Sequence, residues 1–232
     1  PVVAQKLITR NDVFVYDALK TPQFWLIWIV LCFNVTAGIG VLGQASAMSQ
    51  EMFPGKVTVA AAAGFVGLIS LFNMLGRFFW ASTSDLIGRK NTYFCFFALG
   101  TALYILVPQT GAIGSVALFV VCFCIILSMY GGGFATVPAY LRDMFGTRYV
   151  GAIHGLLLTA WSTAGVLGPV LVNYIRQYQI DNGVPKAQAY NTTMYIMAGL
   201  LVIGFIANAC VQAVHERHHM AANDGVPSGA RG

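Results

Sequence analysis

Arg77 is the residue of this chain best suited to chemistry, because a permanent charge stands there inside a run of hydrocarbon side chains. It lies eight residues before Asp85, about 12 Å along a helix at 1.5 Å per residue. That places it in the apolar stretch and not in the polar loop beyond it. A charge at such depth is costly, so it either faces a cavity or partner or snorkels to lipid headgroups. A guanidinium presents a planar fork that suits a carboxylate. Asn73 sits one turn earlier on the same face, and its amide does not titrate. Tyr130 and Phe134 form an i,i+4 aromatic pair, a spacing usual for core packing. His154 lies seven residues before Trp161 and on roughly the same helix face. It reads as a proton-linked group or as a helix–helix hydrogen bond. The loop Asp85-Leu-Ile-Gly88-Arg89-Lys90 carries both signs of charge. An excess of positive charge in loops explains Arg89 and Lys90 but not Asp85. A charged clasp between helix ends explains all three.

These residues need membrane helices to position them. The chain is 57% hydrophobic and 9% charged, against about 25% charged in soluble domains. A span takes about 20 apolar residues. Six windows qualify: 23–45, 57–80, 92–109, 114–138, 150–174 and 192–214. None alternates with period two, which excludes a β-barrel. The expected fold is an all-α membrane protein, a six-transmembrane-helix bundle. Thr21-Pro22 opens the first helix, with proline in the first turn. Breaks are expected at Pro54-Gly55, at Gly88, at Pro108 with Gly111, at Gly146, and at Asn182-Gly183 with Pro185. Gly131-Gly132-Gly133 with Pro138 predicts a kink in the fourth helix. Gly151, Ala152 and Gly155 predict small-residue packing in the fifth.

Residues 1–20 read as a cytoplasmic linker, 21–215 as the helix bundle and 216–232 as a disordered tail. Lys6, Arg10, Lys20, Arg77, Arg89, Lys90, Arg142, Arg148, Arg217 and Arg231 fall on one side, against Lys56, Arg176 and Lys186 on the other. Both termini and the Asp85 loop are therefore expected in the cytoplasm, in a multi-pass protein of the inner (plasma) membrane. The net charge of +5 sits in short loops and implies no nucleic-acid partner. The five cysteines lie in apolar runs and read as small buried hydrophobes. His218-His219 reads as a solvated tail, so no metal and no cofactor is expected. No Gly-x-Ser-x-Gly, His-Glu-x-x-His or pair of intramembrane aspartates is present, which argues against an enzyme. Nor is there a segment resembling a selectivity filter.

The Asp85 loop between two membrane helices resembles the signature loop of the major facilitator superfamily of transporters. Its first glycine is replaced by Ala81, and the usual basic residue after Asp85 is Leu86. The run from Tyr130-Gly131-Gly132-Gly133-Phe134 through Pro138, Tyr140, Asp143 and Gly146, then Gly155, Thr159-Ala160-Trp161 and Gly168-Pro169, is similar to the oxalate:formate antiporter family. Monocarboxylate transporters are among that family's relatives. The resemblance implies the C-terminal half of a twelve-helix facilitator fold, a fragment of a longer chain whose missing N-terminal six-helix half completes the site. It implies alternating access, as antiporter or symporter, for a small organic anion. It places Arg77 at a carboxylate-binding position and Tyr130 and Phe134 at positions of an aromatic cage. Asn73 falls where vertebrate monocarboxylate transporters carry an acidic residue implicated in proton coupling. Trp161 stands where oxalate transporters carry a lysine for a second carboxylate. The resemblance therefore implies a monocarboxylate such as formate, lactate or pyruvate, with oxalate/formate exchange or a non-transporting membrane scaffold as alternatives.

Overall fold

The computed structural model describes residues 7–9 and 11–220. A short helix, α1 (Val15–Ala18), precedes α2 (Pro22–Met52), α3 (Val59–Ile87), α4 (Arg89–Ile113) and α5 (Val116–Phe145). Then follow α6 (Val150–Leu157), α7 (Thr159–Asp181) and α8 (Asn191–Cys210). Helices α6 and α7 meet at Leu158 and form one span, so six spans are long and apolar enough to cross a membrane. The protein is an all-α, multi-pass membrane bundle. Among the described residues the only β-pairing is an isolated bridge between Val13 and His219.

Hydroxyl caps start the long helices where the sequence offers them. Thr21 Oγ1 accepts from Phe24 N at 3.3 Å with Pro22 behind it, as expected. Thr58 and Ser115 cap α3 and α5 in the same way. The break expected at Pro108 lies instead at Gly114, whose φ of +71° closes α4. Pro108 and Gly111 stay inside that helix. Helix α2 also runs past its apolar window, because its late charge Glu51 finds Arg176 of α7.

The helices pack chiefly as α3 on α5, α2 on α7 and α4 on α8. Helices α2 and α5 form the interior, while α3 and the α6–α7 span leave most of their surface uncovered. Helix α5 is assigned as helix throughout, across the three glycines and Pro138. Its glycines admit neighbours. A Cβ on Gly131 would strike Asn73, one on Gly132 would strike the Trp80 side chain, and one on Gly133 would strike the Asn34 amide. The small-residue packing expected on α6 is absent within this chain, since Gly151 and Gly155 face open space.

The segments flanking the bundle are ordered where they are described. Residues 216–218 form a 3-10 turn, and Thr9 and Val13 hydrogen-bond the end of α5. Lys6, Arg10, Arg231 and the tail from 221 lie outside the described residues.

Candidate functional site

Three helices bring together Arg77, Phe134 and Trp161. The Arg77 guanidinium lies 5.6 Å from the centre of the Phe134 ring, a distance at which the ring quadrupole attracts a cation. Phe134 packs on Trp161 and meets Tyr130 edge-on, with centroids 5.3 Å apart. Arg77 is ten residues from the end of α3, Phe134 eleven from the end of α5 and Trp161 eleven from the start of α6. At 1.5 Å per residue all three lie about 15–17 Å from those helix ends, a distance equal to about half of a bilayer core.

Arg77 is exposed, whereas Phe134 and Trp161 are half-buried. The cluster thus sits on an open face of the bundle. Four arginines lie in the described spans. Arg89 pairs with Asp85 and Asp143, Arg142 with Asp143, and Arg176 with Glu51. Of these four, Arg77 alone has no carboxylate partner among the described residues. An unpaired guanidinium framed by aromatic rings can hold a single anion by charge and forked hydrogen bonds while the rings exclude water.

Asn73 and Tyr130 stand at the edge of this cluster. Asn73 Oδ1 is buried without a partner against Gly131, so its carbonyl oxygen turns toward α5. The Tyr130 ring lies so close on Gly38 of α2 that any larger residue there would overlap it. Tyr130 separates the cluster from an internal cavity of about 10 Å³ lined by Asn34, Gly38, Phe96, Gly100, Tyr104 and Leu201. Asn34 was missed by the sequence reading. Its Nδ2 is buried with no partner; a lone amide inside an apolar window was the available signal. His154 lies on α6, beyond Leu158 from Trp161, and its Nδ1 is buried without a partner.

The loop charges assemble away from the cluster. Gly88, at φ +88°, is the joint between α3 and α4. Arg89 bonds Ser84 and Asp85 and reaches Asp143 of α5 at 3.6 Å. Lys90 Nζ donates to the carbonyls of Ala209 and Val211 at 3.0 and 2.6 Å, where α8 ends. Asn208 returns a bond to Lys90 O at 2.9 Å and accepts from Tyr140 at 3.2 Å. These contacts tie together the ends of α3, α4, α5 and α8. At the opposite end Arg176 grips Glu51 and lies 5.5 Å from the Tyr190 ring centre. Sequence reading counted Arg176 as a loop charge and missed this pair. Among the described residues no group of three metal-ligating side chains occurs, and His218 Nε2 accepts from Arg217 at 3.0 Å.

No family model matches the chain. It is 33% identical over 164 residues to the oxalate:formate antiporter of Oxalobacter formigenes, covering 71% of this chain and 38% of that protein. It is 21% identical over 162 residues to YhjX, an uncharacterized MFS-type transporter of Escherichia coli (strain K12), covering 68% of this chain and 39% of that protein. Over 130 residues it is 29% identical to apicoplast pyruvate carrier 2 of Toxoplasma gondii, covering 56% of this chain and 19% of that protein. The chain spans well under half the length of each of these relatives.

Proposed function

We propose that this chain is the C-terminal six-helix bundle of a major facilitator transporter, close to the oxalate:formate antiporter family, that carries small monocarboxylates by alternating access. The observation that carries the reading is Arg77. It is the arginine left without a carboxylate among those in the described spans, ten residues from the end of α3 on an uncovered face. A substrate carboxylate supplies the missing partner. Phe134, Trp161 and Tyr130 form the apolar wall beside it, with Asn73 at its edge. A second six-helix bundle covers this face and completes the site. The uncovered surfaces of α3 and α6–α7 support that arrangement.

One guanidinium with Trp161 beside it suits one negative charge better than two. Asn73 carries no proton, so coupling runs through another group such as His154, or transport is plain exchange. The clasp of Asp85, Gly88, Arg89 and Lys90 holds one access state from the cytoplasmic side of a plasma membrane, with both termini on that side. The similarity to an oxalate:formate antiporter favours a second reading, exchange of a dicarboxylate for formate.

Uptake of labelled formate, lactate, pyruvate and oxalate into proteoliposomes holding the full-length protein separates the two. Arg77→Lys is expected to abolish most monocarboxylate uptake. Trp161→Lys is expected to confer oxalate exchange. Normal transport by Arg77→Lys would remove the carboxylate anchor, and efficient oxalate exchange by the unaltered protein would select the second reading.

A further inference from the structure

We propose that Asp12 is a positioning residue for α6 and, through it, for the Trp161 side of the candidate site. Only the link to Trp161 rests on the transport reading above.

Helix α6 is poorly secured by its own sequence. It has eight residues, of which only Ile153 and Leu157 are buried, and its N-cap Tyr149 makes no side-chain cap. At Leu158 it continues into α7, since Leu158 N donates to His154 O at 3.0 Å and Ser162 N to Leu158 O at 3.1 Å, so the start is the end in need of an anchor. Gly151 and Gly155 find no neighbour in the chain. At the Leu158 junction Thr159 Oγ1 donates back to Leu156 O at 2.8 Å. That same hydroxyl accepts from the Trp28 indole at 2.9 Å.

What holds the near end comes from the segment before α1. Asp12 Oδ1 accepts from Thr147 N at 2.9 Å and from Arg148 N at 3.0 Å, in the turn that leads into α6. A carboxylate that accepts from two successive N–H groups of the turn fixes the direction in which the chain enters the helix; here it is supplied from a distant part of the chain. Gly146, at φ +85°, makes the approach possible, because a Cβ there would strike Asp12. Around this contact Thr9 N donates to Asp143 O at 2.8 Å and Val13 N to Phe145 O at 2.9 Å. These bonds satisfy carbonyls that the end of α5 leaves open. Phe14 meets Tyr149 edge-on at 5.4 Å. From behind, Met220 N donates to Asp12 O at 2.9 Å, beside the Val13–His219 bridge.

Helix α6 is therefore a short rod fixed at two polar points, Asp12 at one end and the Trp28–Thr159 contact at the other. With the Asp12 contact gone, α6 tilts about Leu158, three residues from Trp161.

Hydrogen–deuterium exchange on the full-length protein in lipid nanodiscs tests the first step. Asp12→Ala is expected to speed exchange of the Gly151–Leu157 amides roughly fivefold to tenfold, the size of a lost hydrogen bond, with α2 and α5 unchanged. Asp12→Asn keeps an oxygen in place and restores slow exchange. Should Asp12→Ala fail to fold, Asp12→Glu displaces the oxygens by one methylene and is expected to give a smaller rise in the same amides. Unchanged α6 exchange, or a rise shared by every helix, overturns the proposal. In uptake assays the half-saturating carboxylate concentration is expected to rise severalfold in Asp12→Ala and to return in Asp12→Asn. Unaltered uptake alongside faster α6 exchange refutes the link to Trp161. A protein that takes up no carboxylate leaves the exchange result standing, so the two readings fail separately.

Discussion

The seam between α3 and α5 and the seam between α2 and α7 mix the same two materials, glycine contact and polar bridges, in different proportions. In the first, backbones touch. Gly76 lies against the Ser128 backbone, Gly131 against Asn73 and Gly132 against Trp80. One side-chain hydrogen bond crosses it, from Trp80 Nε1 to Ser128 Oγ at 3.2 Å. In the second, one such approach occurs, Gly168 against the backbone of Thr36 and Gly40, and polar side chains reach across at three levels besides. Trp28 donates to Thr159, Gln44 donates to Asn173 at 2.7 Å, and Arg176 grips Glu51. Close van der Waals contact is lost within a fraction of an ångström, so α3 and α5 move as one body. Hydrogen bonds between long side chains tolerate small shifts. The candidate site draws Arg77 and Phe134 from the rigid pair and Trp161 from the helix held by adjustable contacts.

Substitutions in each seam test that contrast by thermal unfolding of the purified protein. The largest effect is expected from Gly76→Ala, whose methyl would enter the Ser128 backbone; overpacking of this kind destabilises by about 3 kcal/mol. If Gly76→Ala unfolds normally, the claim of a rigid α3–α5 body fails. Arg176→Ala strands Glu51, a group only 21% exposed. Loss of one partner of a fully buried pair costs about 3–5 kcal/mol, and at this partial exposure about 2 kcal/mol is expected. Adding Glu51→Gln should recover part of that loss, since no unpaired charge then remains. Ser128→Ala removes the acceptor for Trp80 together with its own bond to Ile125 O, leaves the indole packing in place, and is expected to cost about 1 kcal/mol. A cost above that of Arg176→Ala would mean that polar contacts, not glycine packing, hold both seams.

The spans were legible because hydrocarbon runs and their breakers are local signals. Gly88 and Gly146 could be read as joints from the sequence, and both adopt positive φ. Pro108 misled for the same local reason: it resembles a breaker, yet α4 carries it near its end. What could not be read were partners distant along the chain. Asp143 faces Arg89 from another helix, and Glu51 reaches Arg176, 125 positions further along the chain. The three glycines of α5 suggested a bend because glycine costs a helix stability. Their reason is the approach of Asn34, Asn73 and Trp80 from other helices, which no window of sequence contains. Arg77 was visible by its charge alone, and its lack of a partner became visible only once the other arginines had found theirs.

Gly88 is the whole connection between α3 and α4. A joint of one residue leaves no slack. Helix α3 can swing about that point together with α5, on which it is packed, but it cannot travel along its own axis without pulling α4, and with it α8, to which Lys90 is fastened. Arg77 stands on a lever arm of about 16 Å measured from the joint. A swing of about 5° carries its Cα sideways by about 1.4 Å on an arm of that length, enough to close or open a hydrogen bond. The stroke available to the guanidinium is therefore lateral, toward or away from whatever covers the open face, and not up and down through the membrane.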